Sequence, residues 1–200
     1  MNIKAVIFDL DGTITEPLID FDQIRRELGF QPDSQPLLEL MADMTPQQQK
    51  NAEQIILKHE LLAAKNSTLN LGVKETLSKL RNTGRKIAIL TRNKYDHVRI
   101  VAEKHNLRFD CIFDRQSGPV KPDACGVFKI CETFNLTPKE TICVGDYLHD
   151  IQCAKTAGST AVLLVHKNTP QSFIDLADFS IKNITQTLDI INLLEGNKDA

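Results

Sequence analysis

Residues 4–13 read KAVIFDLDGT, and this stretch decides the fold. Its first half is almost continuously apolar and rich in side chains that favour strands. The run stops at Asp9 and Asp11, where Asp-Gly is a turn signal. A strand that is apolar on both faces is typical of the centre of a parallel sheet. The sequence therefore predicts a buried strand over residues 4–10 with two carboxylates at its carboxyl end.

Shorter apolar runs recur along the chain and predict further strands over residues 86–90, 111–113, 141–144, 160–165 and 178–181. Helical spacing alternates with them, over residues 73–81, 95–105, 124–134 and 150–157. Gly84 and Gly158 follow two of these stretches, where glycine often caps a helix. Such alternation predicts an α/β fold with a Rossmann-like, doubly wound and mostly parallel sheet.

Residues 16–71 break this alternation. They carry several prolines and helical patterns over residues 21–28 and 47–64, with few runs that favour strands. We therefore predict a small helical insertion over residues 16–71, and an α/β core made of residues 1–15 and 72–200. The last five residues, 196–200, are expected to fray.

The composition limits the classes of function. The net charge is -2, and the sequence contains no block of Lys and Arg. This argues against nucleic acid or an anionic membrane as a partner, because such binding depends on neutralising phosphates. No apolar run approaches the roughly 18 residues of a membrane span, and the N-terminus lacks a signal or transit pattern, so we expect a cytoplasmic protein. The five cysteines lack zinc-ligand spacing and are expected to be reduced, mostly buried thiols.

Four polar motifs follow predicted strands, most of them directly. In an open parallel sheet, ligands bind beyond the carboxyl ends of the strands, so these motifs are expected to meet in one pocket. Taken singly, each motif has a simpler explanation as a turn or as a surface position. The motifs are Asp9-Leu10-Asp11-Gly12-Thr13, Thr91-Arg92-Asn93, Lys121-Pro122-Asp123 and Gly145-Asp146-Tyr147-Leu148-His149-Asp150.

Carboxylates dominate the first and last motifs. The four carboxylates, Asp9, Asp11, Asp146 and Asp150, would repel one another unless a cation neutralised them. The cluster therefore predicts a divalent metal, with Mg²⁺ as the first candidate. A carboxylate can also act as the nucleophile toward a phosphoryl group, whose oxygens then need positive charge and hydrogen-bond donors around them. Lysine and threonine side chains in the two middle motifs have those capacities.

The ordered set of motifs resembles the four motifs of haloacid-dehalogenase-like (HAD) hydrolases, and the resemblance covers nearly the whole chain. For the carboxylates, it implies that Asp9 is the nucleophile and a metal ligand. Asp11 would protonate the leaving oxygen and later activate water, while its backbone carbonyl also binds the metal. Asp146 would ligate Mg²⁺, and Asp150 would support the metal's water shell.

For the middle motifs, the resemblance implies a phosphate site made of Thr91, Arg92, Asn93 and Lys121, with Lys121 also balancing the charge of Asp9. The substrate would be a small phosphorylated metabolite, and the protein a monomer or weak dimer. True 2-haloacid dehalogenases lack an acid two residues after the nucleophile, so Asp11 favours phosphoryl transfer over dehalogenation.

Within the family, the helical insertion resembles the cap of the phosphoglycolate-phosphatase and β-phosphoglucomutase branch. The resemblance implies a Mg²⁺-dependent phosphomonoester hydrolase that works through an aspartyl-phosphate intermediate. Two alternatives stay open at this point. One is a phosphomutase of the β-phosphoglucomutase type, because the core motifs are shared, and the other is a non-catalytic binding protein.

A few positions are left without a firm role. Tyr147 stands where the family often has a small residue. Glu16, Arg25 and Arg26 are candidates for facing a ligand, although an exposed helix face explains the two arginines more simply. His149 lies between the two acids of the last motif, where residues more often support the chemistry than take part in it.

Overall fold

The computed structural model describes residues 1–32 and 35–196. Of the segment expected to fray, only Gly196 lies inside these ranges, and the predicted insertion includes two residues, 33 and 34, that lie outside them. The chain divides into two compact units, one made of Met1–Pro17 and Thr68–Ala200 and the other of Leu18–Ser67. The assignment of the second unit as a cap stays a prediction.

The larger unit is built on a parallel sheet. Its strands are β1 Ala5–Phe8, β2 Lys86–Leu90, β3 Cys111–Phe113, β4 Thr141–Gly145, β5 Thr160–Leu164 and β6 Phe179–Ile181. In the described part of the chain the strand order is β3-β2-β1-β4-β5-β6, with every pair of neighbours parallel. This is the doubly wound order in which the first strand occupies the centre, and it confirms the predicted fold class.

The position of β1 follows from its sequence. All four of its residues are buried, with Val6 paired between Ile87 of β2 and Ile142 of β4. Because the strands on either side are also apolar, no polar side chain has to be accommodated in the middle of the sheet. The carboxyl ends of β1, β2 and β4 therefore lie side by side, and the loops that follow them are neighbours.

The unit Leu18–Ser67 contains α1 (Phe21–Glu27), α2 (Leu37–Ala42) and α3 (Pro46–Asn66). Ile24, Leu37 and Ile56 form its small apolar centre. The sequence predicted α1 and α3 but missed α2, which has six residues, too few to establish a helical period. Thr45 and Gln48 form a capping box at the start of α3, with proline in the first helical position.

The remaining helices belong to the larger unit, and the four predicted ones are present. The helices are α4 Val73–Asn82, α5 Tyr95–His105, α6 Cys125–Phe134, α7 Leu148–Ala157, α8 Gln171–Leu176 and α9 Gln186–Glu195, with a 3₁₀ turn at Pro138–Glu140. Asn106 and Asn135, with φ of 55° and 54°, close α5 and α6 in the left-handed conformation that asparagine tolerates. The short α8 and the last helix, α9, were not predicted.

Apolar side chains on one face of the sheet form a large core cluster with α6 and α7. Val127 and Ile130 of α6 and Ile151 of α7 pack with residues of β1, β2, β4 and β5. Cys131, Cys143 and Cys153 are buried, Cys111 and Cys125 are partly exposed, and all five thiols are free. Over the described residues, no helix is both long enough and apolar enough to cross a bilayer.

Candidate active site

Asp9 and Asp11 lie on the loop that follows the central strand. The Asp9 backbone N–H still donates to Val144 O of β4 (2.9 Å), so the first carboxylate is held by the sheet itself. The chain then turns at Gly12, which has a φ of 88°. A Cβ at Gly12 would also collide with the Asp146 carboxylate, so glycine is required here on two counts. The turn thereby brings the first and last motifs together.

Lys121 connects two of the carboxylates. Its Nζ lies 2.6 Å from Asp9 Oδ1 and 2.6 Å from Asp150 Oδ1, and its side chain is only 5% exposed. Burial alone would lower the pKa of this ammonium, but the charges of Asp150 and Asp9 raise it above its usual value. Lys121 is therefore a fixed positive charge that lies against both Asp9 and Asp150.

The acidic cluster carries more negative charge than Lys121 can neutralise. Burial raises the pKa of the Asp9 carboxyl to about 7, Lys121 opposes the rise, and Asp150 and Asp11 add to it. Burial also raises the pKa of Asp146, with Asp9 and Asp150 adding to the effect. These shifts reflect buried carboxylates whose charge lacks a sufficient counter-charge.

A divalent cation would fit this cluster. Asp9, Asp146 and Asp150 each offer an oxygen, and these oxygens lie within 4.8 Å of one another. Carboxylate oxygens are the ligands that Mg²⁺ prefers. Asp150 already accepts hydrogen bonds on both oxygens, from Lys121 Nζ and from the Tyr147 backbone N–H at 3.0 Å. Asp9 and Asp146 are therefore the better placed of the three to ligate a metal directly.

The fourth motif owes its geometry to the start of α7. By accepting from the Tyr147 N–H, Asp150 caps the helix and holds its own carboxylate against Lys121. A Cβ at Gly145 would collide with Asp150, so glycine is needed where β4 ends. The capping bond and the close approach together fix the position of Asp150.

The second motif begins with a buried threonine. Thr91 is 3% exposed, its N–H donates to Phe113 O (3.0 Å), and its Oγ1 accepts from the Asn93 backbone N–H (3.0 Å). Asn93 Nδ2 donates to Asp11 Oδ2 at 2.9 Å. The structure thus brings the second motif to the first through Asn93. Whether these residues hold phosphate stays a prediction.

Arg92 lies on the other side of this motif, next to the fourth. Its guanidinium contacts His149 Nδ1, which must accept because guanidinium is a donor only. The Tyr147 ring makes edge contacts with His149 (centroids 5.1 Å apart) and Phe173 (5.4 Å). Tyr147 therefore packs against its neighbours, while almost half of it stays exposed.

His166, which follows β5, was not among the predicted site residues. Its Nε2 donates to Gly12 O (2.7 Å) and lies 3.8 Å from Asp146 Oδ2. The only available signal was its position, a polar residue just after a buried strand, at the edge where the motifs meet. Thr13 Oγ1 donates to the other Asp146 oxygen at 3.2 Å. His166 and Thr13 therefore help to hold Asp146.

Glu16, Arg25 and Arg26, the other candidates for facing a ligand, each lie close to a polar or charged side chain. Glu16 Oε2 accepts from Thr68 Oγ1 at 2.7 Å. Arg25 pairs with Asp22 at 2.8 Å within the unit Leu18–Ser67. Arg26 reaches only to 3.9 Å from Asp20. A role for these three in facing a ligand stays a prediction.

Comparisons with known proteins agree with this geometry. A family model described as haloacid dehalogenase-like hydrolase matches residues 6–164. A haloacid dehalogenase-like hydrolase domain-containing protein of Arabidopsis thaliana is 29% identical over 213 residues, 98% of this chain and 86% of that protein. A phosphoglycolate phosphatase of Chromobacterium violaceum is 25% identical over 217 residues, 95% of this chain and 97% of that protein.

Solved structures show the same fold. A hydrolase from Pseudomonas syringae has a TM-score of 0.81 at 17% identity, covering 96% of this chain and 99% of that one. The predicted resemblance to the phosphoglycolate-phosphatase-like branch and the prediction of a phosphatase-type enzyme are confirmed. With the family model matching most of its length, the chain belongs to the haloacid dehalogenase-like hydrolase family.

Proposed function

We propose that this enzyme is a Mg²⁺-dependent phosphomonoester hydrolase that acts on a small phosphorylated metabolite through an aspartyl phosphate on Asp9. The observation that carries the proposal is the placement of Asp9, 2.6 Å from the buried Lys121, within a cluster of carboxylates whose negative charge exceeds the single positive charge of Lys121. A phosphate ester brings negative charge, so the site suits it only when a cation is bound there as well.

Asp9, Asp146 and the Asp11 backbone carbonyl would hold the metal. When bound, Mg²⁺ would neutralise charge on the carboxylates and on the phosphate oxygens. Thr91, Arg92, Asn93 and Lys121 would surround the phosphoryl group with donors and positive charge. Lys121 is the best placed of these four, because its ammonium already contacts the proposed nucleophile.

The chemistry requires two steps. An Asp9 oxygen forms a bond to phosphorus while the bond between phosphorus and the leaving oxygen breaks, and the proton on Asp11 passes to that oxygen. A water molecule then attacks phosphorus, gives a proton to Asp11, and releases inorganic phosphate and the Asp9 carboxylate. The site supports this use of Asp11, whose carboxylate lies beside Asn93 on the same loop as Asp9.

We further propose that the helical unit Leu18–Ser67 acts as a cap that selects the substrate. The Chromobacterium violaceum relative is a phosphoglycolate phosphatase, which supports a small, anionic phosphate ester as the first substrate to test. In the sequence, this unit follows the loop that carries the proposed nucleophile.

The proposal is tested by assaying phosphate release from p-nitrophenyl phosphate, phosphoglycolate, sugar phosphates and nucleoside monophosphates, in Mg²⁺ and in EDTA. We expect release that requires Mg²⁺. Interconversion of sugar-phosphate isomers without release of phosphate would instead establish a phosphomutase. A folded, Mg²⁺-binding protein that turns over none of these esters would point to a binding role.

Asp146→Asn is expected to stabilise the protein in EDTA and to abolish its stabilisation by Mg²⁺. Without metal, the substitution removes a carboxylate whose charge is disfavoured by burial and by repulsion from Asp9 and Asp150, so the free energy of unfolding in EDTA should rise. With metal, native protein gains stability because Mg²⁺ binds only the folded site. Thermal unfolding with and without Mg²⁺ measures both effects.

Asp175→Asn is the matched control, because Asp175 is exposed on α8. This variant should behave like native protein in both conditions. If Mg²⁺ stabilises the Asp146→Asn variant as much as it stabilises native protein, the metal binds at a site that does not include Asp146.

A further inference from the structure

We propose that His97 is a positioning residue that acts through Asn93 to hold the Asp11 carboxyl for proton transfer to the leaving group. The inference rests on the proposed function, in which Asp11 is the acid. His97 belongs to none of the four motifs.

The amide of Asn93 is fixed at both ends. Its Oδ1 accepts from the Lys94 backbone N–H (2.7 Å) and from His97 Nδ1 (2.7 Å). A backbone N–H is a donor only, so the atom it meets must be the amide oxygen, and His97 Nδ1 must carry a hydrogen. The amide nitrogen then points the other way, where it donates to Asp11 Oδ2 at 2.9 Å.

Burial makes this arrangement rigid. Asn93 is 3% exposed and His97 is 7% exposed, so water competes little for their hydrogen bonds. His97 lies in the first turn of α5, four residues after Asn93, and its ring is held by the helix. A rigid donor at this place limits the rotation of the Asp11 side chain, which otherwise lies on a turn next to Gly12.

The bond from Asn93 orients the Asp11 carboxyl group. Asp11 Oδ2 accepts a hydrogen bond from the amide, whose own orientation is set by Lys94 and His97. His97 thus helps to set, through one intermediate residue, the orientation in which the acid meets the leaving group.

The choice of leaving group separates this role from a purely structural one. p-Nitrophenolate leaves without much help from an acid, whereas an alkoxide needs a proton as the bond to phosphorus breaks. A mispositioned Asp11 therefore slows hydrolysis of an alkyl phosphate more than hydrolysis of p-nitrophenyl phosphate. A loss of folded enzyme slows both equally, so the ratio of the two rates is independent of the amount folded.

The test compares His97→Leu, which removes the donor, with His97→Asn, whose side-chain amide can place an N–H near the position of Nδ1. The ratio is taken from kcat/KM, which reports the steps up to departure of the leaving group and excludes the later water attack that both substrates share. General acid catalysis contributes about 10²–10⁴-fold, so we expect His97→Leu to lower kcat/KM for the best alkyl phosphate by about tenfold or more relative to p-nitrophenyl phosphate. His97→Asn should restore much of the ratio, and Asp11→Asn should shift it in the same direction and further.

A second comparison tests whether His97 acts through Asn93. In the Asn93→Ala background, adding His97→Leu should leave the ratio unchanged, because the intermediate residue is already gone. Equal losses of kcat/KM on both substrates in His97→Leu, with Mg²⁺-dependent release intact in native enzyme, would overturn this inference alone. Native enzyme that releases no phosphate would overturn the proposed function, and the inference with it.

Discussion

Asp9→Asn is expected to lower kcat/KM for phosphate release by at least about 10³-fold, since the amide cannot form the phosphoenzyme and removal of a nucleophile typically costs this much or more. The measurement is steady-state phosphate release in saturating Mg²⁺ from the best substrate.

The control for this loss is Asp175→Asn, which makes the same chemical change on the exposed surface of α8 and should keep native activity. Circular dichroism would establish that both variants are folded. Retention of more than a tenth of native activity by Asp9→Asn would exclude Asp9 as the nucleophile.

Lys121→Met is expected to destabilise the metal-free protein by about 3–5 kcal/mol, the usual cost of removing one partner from a buried ion pair. The methionine would fit the space of the lysine stem, but Asp9 and Asp150 would lose the charge 2.6 Å away. Both carboxylates are largely buried, so water cannot replace the ammonium. Urea unfolding in EDTA measures the loss of stability.

Lys129→Met is the matched control, because Lys129 forms a similarly short pair with Glu132 (2.8 Å) but is 60% exposed. Solvent screens an exposed pair, so this variant should remain close to native stability. Adding Asp150→Asn to Lys121→Met should recover part of the loss by removing one unpaired charge. Equal effects of the two lysine substitutions would contradict the proposed importance of burial.

The sequence was sufficient to predict the centre of the sheet and the residues that gather at its edge. The apolar run over residues 4–8 is typical of a buried central strand. Parallel strands place their carboxyl ends at the same edge of the sheet. That reasoning identified Asp9, Asp146, Asp150 and Lys121 as neighbours before any geometry was known, and the structure places them together.

Other features required the order of the strands. His166 reaches Gly12 because β4 and β5 follow β1 in the sheet, and apolar runs alone do not reveal which strands are adjacent. The pairing of Asn93 with His97 depends on how the two side chains are oriented at the start of α5, which helical spacing does not reveal even though it predicted the bounds of that helix. Short helices such as α2 and α8 were missed because six residues do not establish a period.

The central claim is an aspartyl phosphate on Asp9, and trapping it is the most direct test. Asp11→Asn would be mixed with p-nitrophenyl phosphate and Mg²⁺, quenched in acid and digested for peptide mass spectrometry. Because the leaving group needs little protonation while water attack needs Asp11, we predict one phosphoryl group on the peptide that contains Asp9, removable by hydroxylamine. Phosphorylation of a different residue, or phosphate release by native enzyme with this peptide never modified, would contradict the claim.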